Sequence, residues 1–159
     1  MEPLFETKTI MTWEEYKKMS DYDYKIMFRT ELVCGIIFLF SGIGIMLLGE
    51  CINGILVGVI GVLYILMGIY GKFIMPKKQY SIGCDNYGNE ITVSFYDNSL
   101  TVSYETWSLN VGYGEIAKIA ETDTNFYIYK SKHVIVANVL KENCTEDLIW
   151  FLRGKKYEH

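Results

Sequence analysis

Residues 32–49 read LVCGIIFLFSGIGIMLLG and residues 52–71 read INGILVGVIGVLYILMGIYG, and neither stretch contains a charged side chain. At 1.5 Å rise per residue, runs of roughly 18 to 20 residues cover about 27 to 30 Å as helix, the thickness of a hydrocarbon core. Helices in a soluble core carry polar residues along one face, whereas these are apolar all round. The sequence therefore predicts two membrane-spanning helices. A secretory signal is not expected, because the first run follows an acidic, aromatic stretch and lacks a small-x-small cleavage site.

Only Glu50 and Cys51 separate the runs, so the helices must be antiparallel neighbours joined by a tight turn. Glycines recur every seven residues in each: Gly35, Gly42 and Gly49 in the first helix, Gly54, Gly61 and Gly68 in the second. That spacing keeps one seam facing the partner in a left-handed pair. Counting outward from the turn matches Gly35 with Gly68, Gly42 with Gly61 and Gly49 with Gly54. Glycine lets backbones approach closely, which is how helices pack in lipid. Gly54 and Gly58 also spell GxxxG, a dimerisation signal for which chance is the bland alternative.

Lys17, Lys18, Lys25 and Arg29 precede the first run and Lys72, Lys77 and Lys78 follow the second, while the turn carries only Glu50. Positive flanks stay inside, so the expectation is a multi-pass protein of the cell membrane with both termini cytoplasmic. Lys72, Lys77 and Lys78 are candidate lipid-headgroup contacts, against the simpler reading that they only set orientation. The sequon at Asn143, Cys144 and Thr145 is then coincidental.

Three segments follow: 1–31, an N-terminal strand and interfacial helix; 32–75, the hairpin; and 76–159, a soluble β domain. Thr12 and Glu15 form a capping box, and Ser20, Asp21 and Asp23 give a second start signal, near which the helix entering the membrane should begin. Residues 4–10 look like a strand that needs the C-terminal sheet for pairing. Beyond Pro76 helical texture gives way to short alternating stretches. Residues 91–96 and 100–105 form a hairpin around Asp97 and Asn98, residues that tolerate left-handed turns. Further strands are expected at 115–121, 126–130 and 134–138, and Thr145 caps a last helix whose stripe is Leu148, Ile149, Phe151 and Leu152. The fold class is membrane α+β, a small curved antiparallel sheet closed by a C-terminal helix.

The order of these elements, and the run Tyr113, Ile116, Ile119, Glu121, Thr122, Phe126, Ile128, Tyr129, resemble the YcxB-like family of small bacterial membrane proteins. The resemblance covers nearly the whole chain and implies a C-terminal domain similar to bacterial pleckstrin-homology folds. It implies no activity and no functional residues. Ala137 and Asn138 stand where a Pro-Lys pair would be expected.

The chain has 159 residues and a formal charge of -4, with no basic excess of the kind nucleic acid requires. Cys34, Cys51, Cys84 and Cys144 fall at no zinc or CxxC spacing, so neither a metal nor a disulfide framework is expected. Gly112, Gly114 and Ala117 spell G-x-G-x-x-A, but the alternation after them reads as a strand rather than the helix a dinucleotide site opens, which leaves a turn or bulge. Two histidines, His133 and His159, assemble no triad. Asp21 with Asp23, Asp85 with Glu90 and Glu121 with Asp123 lie in turns where solvated carboxylates are ordinary.

These readings favour a non-catalytic, membrane-anchored module without cofactor, whose partners are the bilayer and a protein or peptide at the inner leaflet, with Tyr127 and Tyr129 as candidate contacts and core packing as the expected role of one of them. The alternative is a structural or transport-accessory protein acting through the glycine hairpin. An enzyme is the third reading.

Overall fold

A computed structural model describes residues 2–82, 88–131 and 134–156. Cys84, Asp85, His133 and His159, weighed above, lie outside these. The chain divides into two compact units, one of Met1–Glu15 with Gly83–His159 and one of Tyr16–Ile82.

Helix α1 (Trp13–Leu47) begins where Thr12 Oγ1 accepts the Glu15 amide at 3.3 Å, as the capping box predicts. It then runs on for 35 residues, so the expected second start near Ser20 is absent. No glycine or proline interrupts residues 13–34, and the Thr30 hydroxyl donates back to the Ile26 carbonyl at 3.0 Å without breaking the helix. At Gly49, φ is +93°. The Gly49 amide donates to the Met46 carbonyl at 3.0 Å and the Glu50 amide to that of Ile45 at 3.3 Å, a complete Schellman stop. Helix α2 (Cys51–Ile69) starts at once, widens into a π turn at Tyr70–Ile74, and continues as α3 (Met75–Ile82).

The helix thus passes through Pro76, where the sequence suggests that helical texture ends. A proline ring clashes with the preceding turn, and the wider π turn relieves that clash. The inserted residue also advances the phase: Gly54, Gly61 and Gly68 are buried at seven-residue spacing, Gly71 is buried within the π turn, and beyond it Pro76 rather than Met75 is buried.

The β unit holds two antiparallel sheets. The first has the order β1 (Phe5–Ile10), β2 (Glu90–Phe95), β3 (Ser99–Ser103), β4 (Ser108–Gly112), so the N-terminal strand does pair with the later sheet, Phe5 opposite Phe95. The turn at Asp97 and Asn98 joins β2 to β3, without positive φ at either residue. Strand β4 was not expected. The second sheet is β5 (Lys118–Glu121), β6 (Asn125–Ser131), β7 (Val134–Leu140). Tyr113–Glu115 is a 3-10 turn, so the strand expected at 115–121 starts three residues later. Thr145 caps α4 (Glu146–Lys156), accepting the Leu148 amide at 3.3 Å. Leu148 and Leu152 are buried, and the Phe151 ring meets Phe5, Phe95 and Tyr113 at 5.4, 6.2 and 6.0 Å between centroids. The helix thereby closes the first sheet.

Candidate functional site

The hairpin seam is built on glycine, one seven-residue repeat out of the register that symmetric counting suggests. A Cβ on Gly42 would lie 2.7 Å from the Gly54 carbonyl oxygen and 2.8 Å from the Gly58 nitrogen, and one on Gly35 would lie 2.9 Å from the Gly61 carbonyl oxygen. Glycine therefore faces glycine at two depths, not three. Gly49 takes no part, because its left-handed conformation is spent on ending α1 and nothing lies within 4 Å of its Cβ position. With the chain reversing around residues 48–50, Gly42 falls opposite Gly54. The GxxxG of Gly54 and Gly58 is used within the hairpin, as the bed for Gly42.

Farther from the turn the partners change. Gly68 faces Glu31, whose Oε2 would be 3.2 Å from an added Cβ, and Gly71 faces the Tyr24 ring so closely that a Cβ would overlap the hydroxyl. That hydroxyl donates to Glu31 Oε2 at 2.6 Å. Lys72 Nζ lies over the Phe28 ring, 4.5 Å from its centroid. Lys25, Phe28 and Arg29 share one face of α1 by their i, i+3, i+4 spacing. Last in the series, Tyr16 donates to Gln79 Oε1 at 3.1 Å and its ring meets Tyr80 at 5.5 Å. Lys77 and Lys78 are exposed in α3, beyond Lys72. The sequence reading missed Lys25 and Arg29 as companions of Lys72, although their spacing around Phe28 was the available signal.

In the β unit, Tyr127 and Tyr129 are both buried and form no contact surface. Strand β6 lies between two others and is covered on both faces, which corrects the expectation of Tyr127 and Tyr129 as partner contacts. Strand β4 pairs only with β3, and β5 only with β6, among the described residues. Tyr104 stacks on the half-exposed Trp107 at 4.2 Å in the turn between β3 and β4, and Trp150 is exposed on α4.

The carboxylates offer ion pairing. Glu121 Oε1 accepts from Arg153 Nη2 at 2.8 Å and from Lys141 Nζ at 2.9 Å, joining β5 to α4 and to the turn after β7. These two hydrogen bonds, that of Arg153 first, hold its pKa down to about 2, so Glu121 is a fixed anion and a poor proton donor. Burial raises the Cys144 thiol above its usual value, and the thiol donates to the Leu140 carbonyl at 3.1 Å. Asn143 of the sequon donates to the Lys8 carbonyl at 2.7 Å and serves as a tie to β1. Gly112 ends a strand and Gly114 sits in the 3-10 turn, a context unlike a dinucleotide loop. An open groove of about 500 Å³ follows β1, crossed by the Lys8–Glu90 pair, and one of about 330 Å³ lies beside Asp97, Asn98 and Asn110. Among the described residues no three His, Cys, Asp or Glu side chains come together as metal ligands.

No protein-family model, curated protein or solved structure matches this chain.

Proposed function

We propose that the chain is a multi-pass protein of the cell membrane, in which the hairpin anchors a non-catalytic β module that binds a protein or peptide at the inner leaflet. The observation that carries this reading is the exposure of the apolar helices. Only 11% and 17% of their most apolar windows are buried, and Phe40, Leu47 and Ile52 are 71%, 82% and 77% exposed. Core helices of soluble proteins bury such residues, and an apolar surface this continuous favours a lipid environment. Lys25, Arg29, Lys72, Lys77 and Lys78 gather at the end away from Glu50, which favours cytoplasmic termini.

Two sheets of four and three strands followed by one closing helix support a pleckstrin-homology-like module, as the YcxB-like resemblance implies. Binding would use a strand edge, β4 or β5, where an extended peptide gains main-chain hydrogen bonds. Anchoring raises the module's effective concentration at the membrane. Impermeant maleimide tests the topology in a chain whose only thiol is Cys51: intact cells should label it from outside, while a lone cysteine at Ser108 should react only after permeabilisation. The reverse pattern would overturn the orientation, and alkaline extraction of the chain into the soluble fraction would overturn the anchor. For binding, a peptide library is panned against the full chain in nanodiscs. Proline at Asn110 or Ile119, whose amides face away from the neighbouring strand, should abolish the selected binding, and unchanged binding by both variants would overturn the edge reading.

A second reading, an accessory protein acting through its hairpin, draws on the seam's extent from Gly42 and Gly54 to Tyr16 and Tyr80, which exceeds what an anchor needs. Under it a foreign two-helix anchor would fail to restore function, whereas under the first reading it would succeed.

A further inference from the structure

We infer that Lys72, held over the Phe28 ring, and Lys25 and Arg29, which flank Phe28 along α1, form a binding site for the phosphate of an anionic phospholipid headgroup. The inference rests on the membrane reading above and adds a ligand class to it.

Three observations meet at this place. Lys72 is fixed by its position over Phe28, 4.5 Å from the centroid, with the Phe73 ring 5.5 Å away on its own helix. Lys25 and Arg29 flank Phe28 on α1 and are exposed. The nearby carboxylate, Glu31, is turned to the Tyr24 hydroxyl at 2.6 Å against the Gly68 backbone, and among the described residues no ion pair joins any of the three cations to a carboxylate. Cations on both helices that no carboxylate engages leave their donors open, and a phosphate meets them with charge-assisted hydrogen bonds.

Depth selects the anion's source. Arg29 stands three residues before the first apolar run, about 4.5 Å along the helix axis, and Lys72 directly follows the second. That is headgroup level for a hairpin whose apolar runs fill the hydrocarbon core. The π turn matters here, since it presents Gly71 to Tyr24 and Lys72 to Phe28 in successive positions. Lys77 and Lys78 lie one to two helical turns farther out and belong to a different level.

The test uses the full chain in nanodiscs of mixed phosphatidylcholine and phosphatidylglycerol, with retained lipid counted by native mass spectrometry. Phosphatidylglycerol should be enriched about tenfold or more over phosphatidylcholine. The triple variant Lys25→Gln, Arg29→Gln, Lys72→Gln should lose that enrichment, and Lys72→Arg should keep it. Lys77→Gln with Lys78→Gln should also keep it; equal loss there would mean diffuse charge and would overturn the site. Glycerol phosphate in solution should not displace the lipid, and displacement would reassign the site to a free anion. A chain that floats with both kinds of vesicle yet shows no enrichment overturns this inference alone, whereas a chain that floats with neither overturns the membrane reading.

Discussion

The carbonyl oxygen of Gly54 lies 2.7 Å from the place a Cβ on Gly42 would occupy, so the two helix backbones touch with no side chain between them. Contact this close gives lipid-embedded helices their dispersion energy, since no hydrophobic drive separates them from the surrounding tails.

Gly42→Ala and Gly54→Ala should each weaken the hairpin by about 1 to 3 kcal/mol, because the added methyl meets backbone that cannot turn aside. Gly44→Ala and Gly58→Ala place their methyls in open space and should be neutral or stabilise by up to about 1 kcal/mol through helix propensity. Cross-linking of cysteines placed at the stacked pair Phe38 and Tyr64 would report the difference.

Glu121→Gln should destabilise the β unit by about 2 kcal/mol, since Lys141 and Arg153 lose their anion and partial exposure of Arg153 screens the rest. The native carboxylate titrates at about 2 against an ordinary 4.5, so its contribution is complete above pH 4.5 and disappears as pH falls toward 2. Thermal midpoints of the full chain in detergent across that window should fall in the wild type more steeply than in the variant.

Tyr113 donates its hydroxyl to the Tyr96 carbonyl at 2.9 Å, and burial, followed by the charge of Asp97, raises its pKa to about 12 from 10.0. The proton is held more tightly in the folded state, so this contribution is complete below pH 10 and is lost as pH rises through 12. Ultraviolet titration of Tyr113→Phe should find one fewer late-ionising phenol than the wild type, at a cost of about 1 kcal/mol in stability.

Asn125 is fully buried and its amide donates to Asn138 Oδ1 at 2.9 Å and to Glu15 Oε2 at 3.1 Å, joining β6 to β7 and to the first turn of α1. Asn125→Ala leaves those acceptors short of a donor and should cost about 2 kcal/mol. Denaturant unfolding followed by tryptophan fluorescence would measure it, and an unchanged midpoint would rule out the network as a support.

Local chemistry was legible in the sequence. Thr12 and Thr145 cap helices because a hydroxyl and an amide three residues apart need no distant partner. The turn at Asp97 and Asn98 was legible for a similar reason. Residues 108–112 were not, since SLNVG has little strand character of its own and is held extended by pairing with β3. The same holds for Tyr113, whose amide is bound by the Asn98 carbonyl at 3.0 Å and whose turn displaces the start of β5. Tyr127 and Tyr129 lie on one face of their strand and carry a polar tip each, so the sequence allowed that face to be displayed, whereas tertiary packing covers this central strand on both faces.

By itself the sequence determined two uncharged runs joined by a minimal turn, because length and charge are properties of the chain alone. Tertiary structure decided which glycines meet and that Lys72 stands over Phe28. Both depend on where α1 stops and where the π turn adds a residue, and a shift in either changes every contact beyond it.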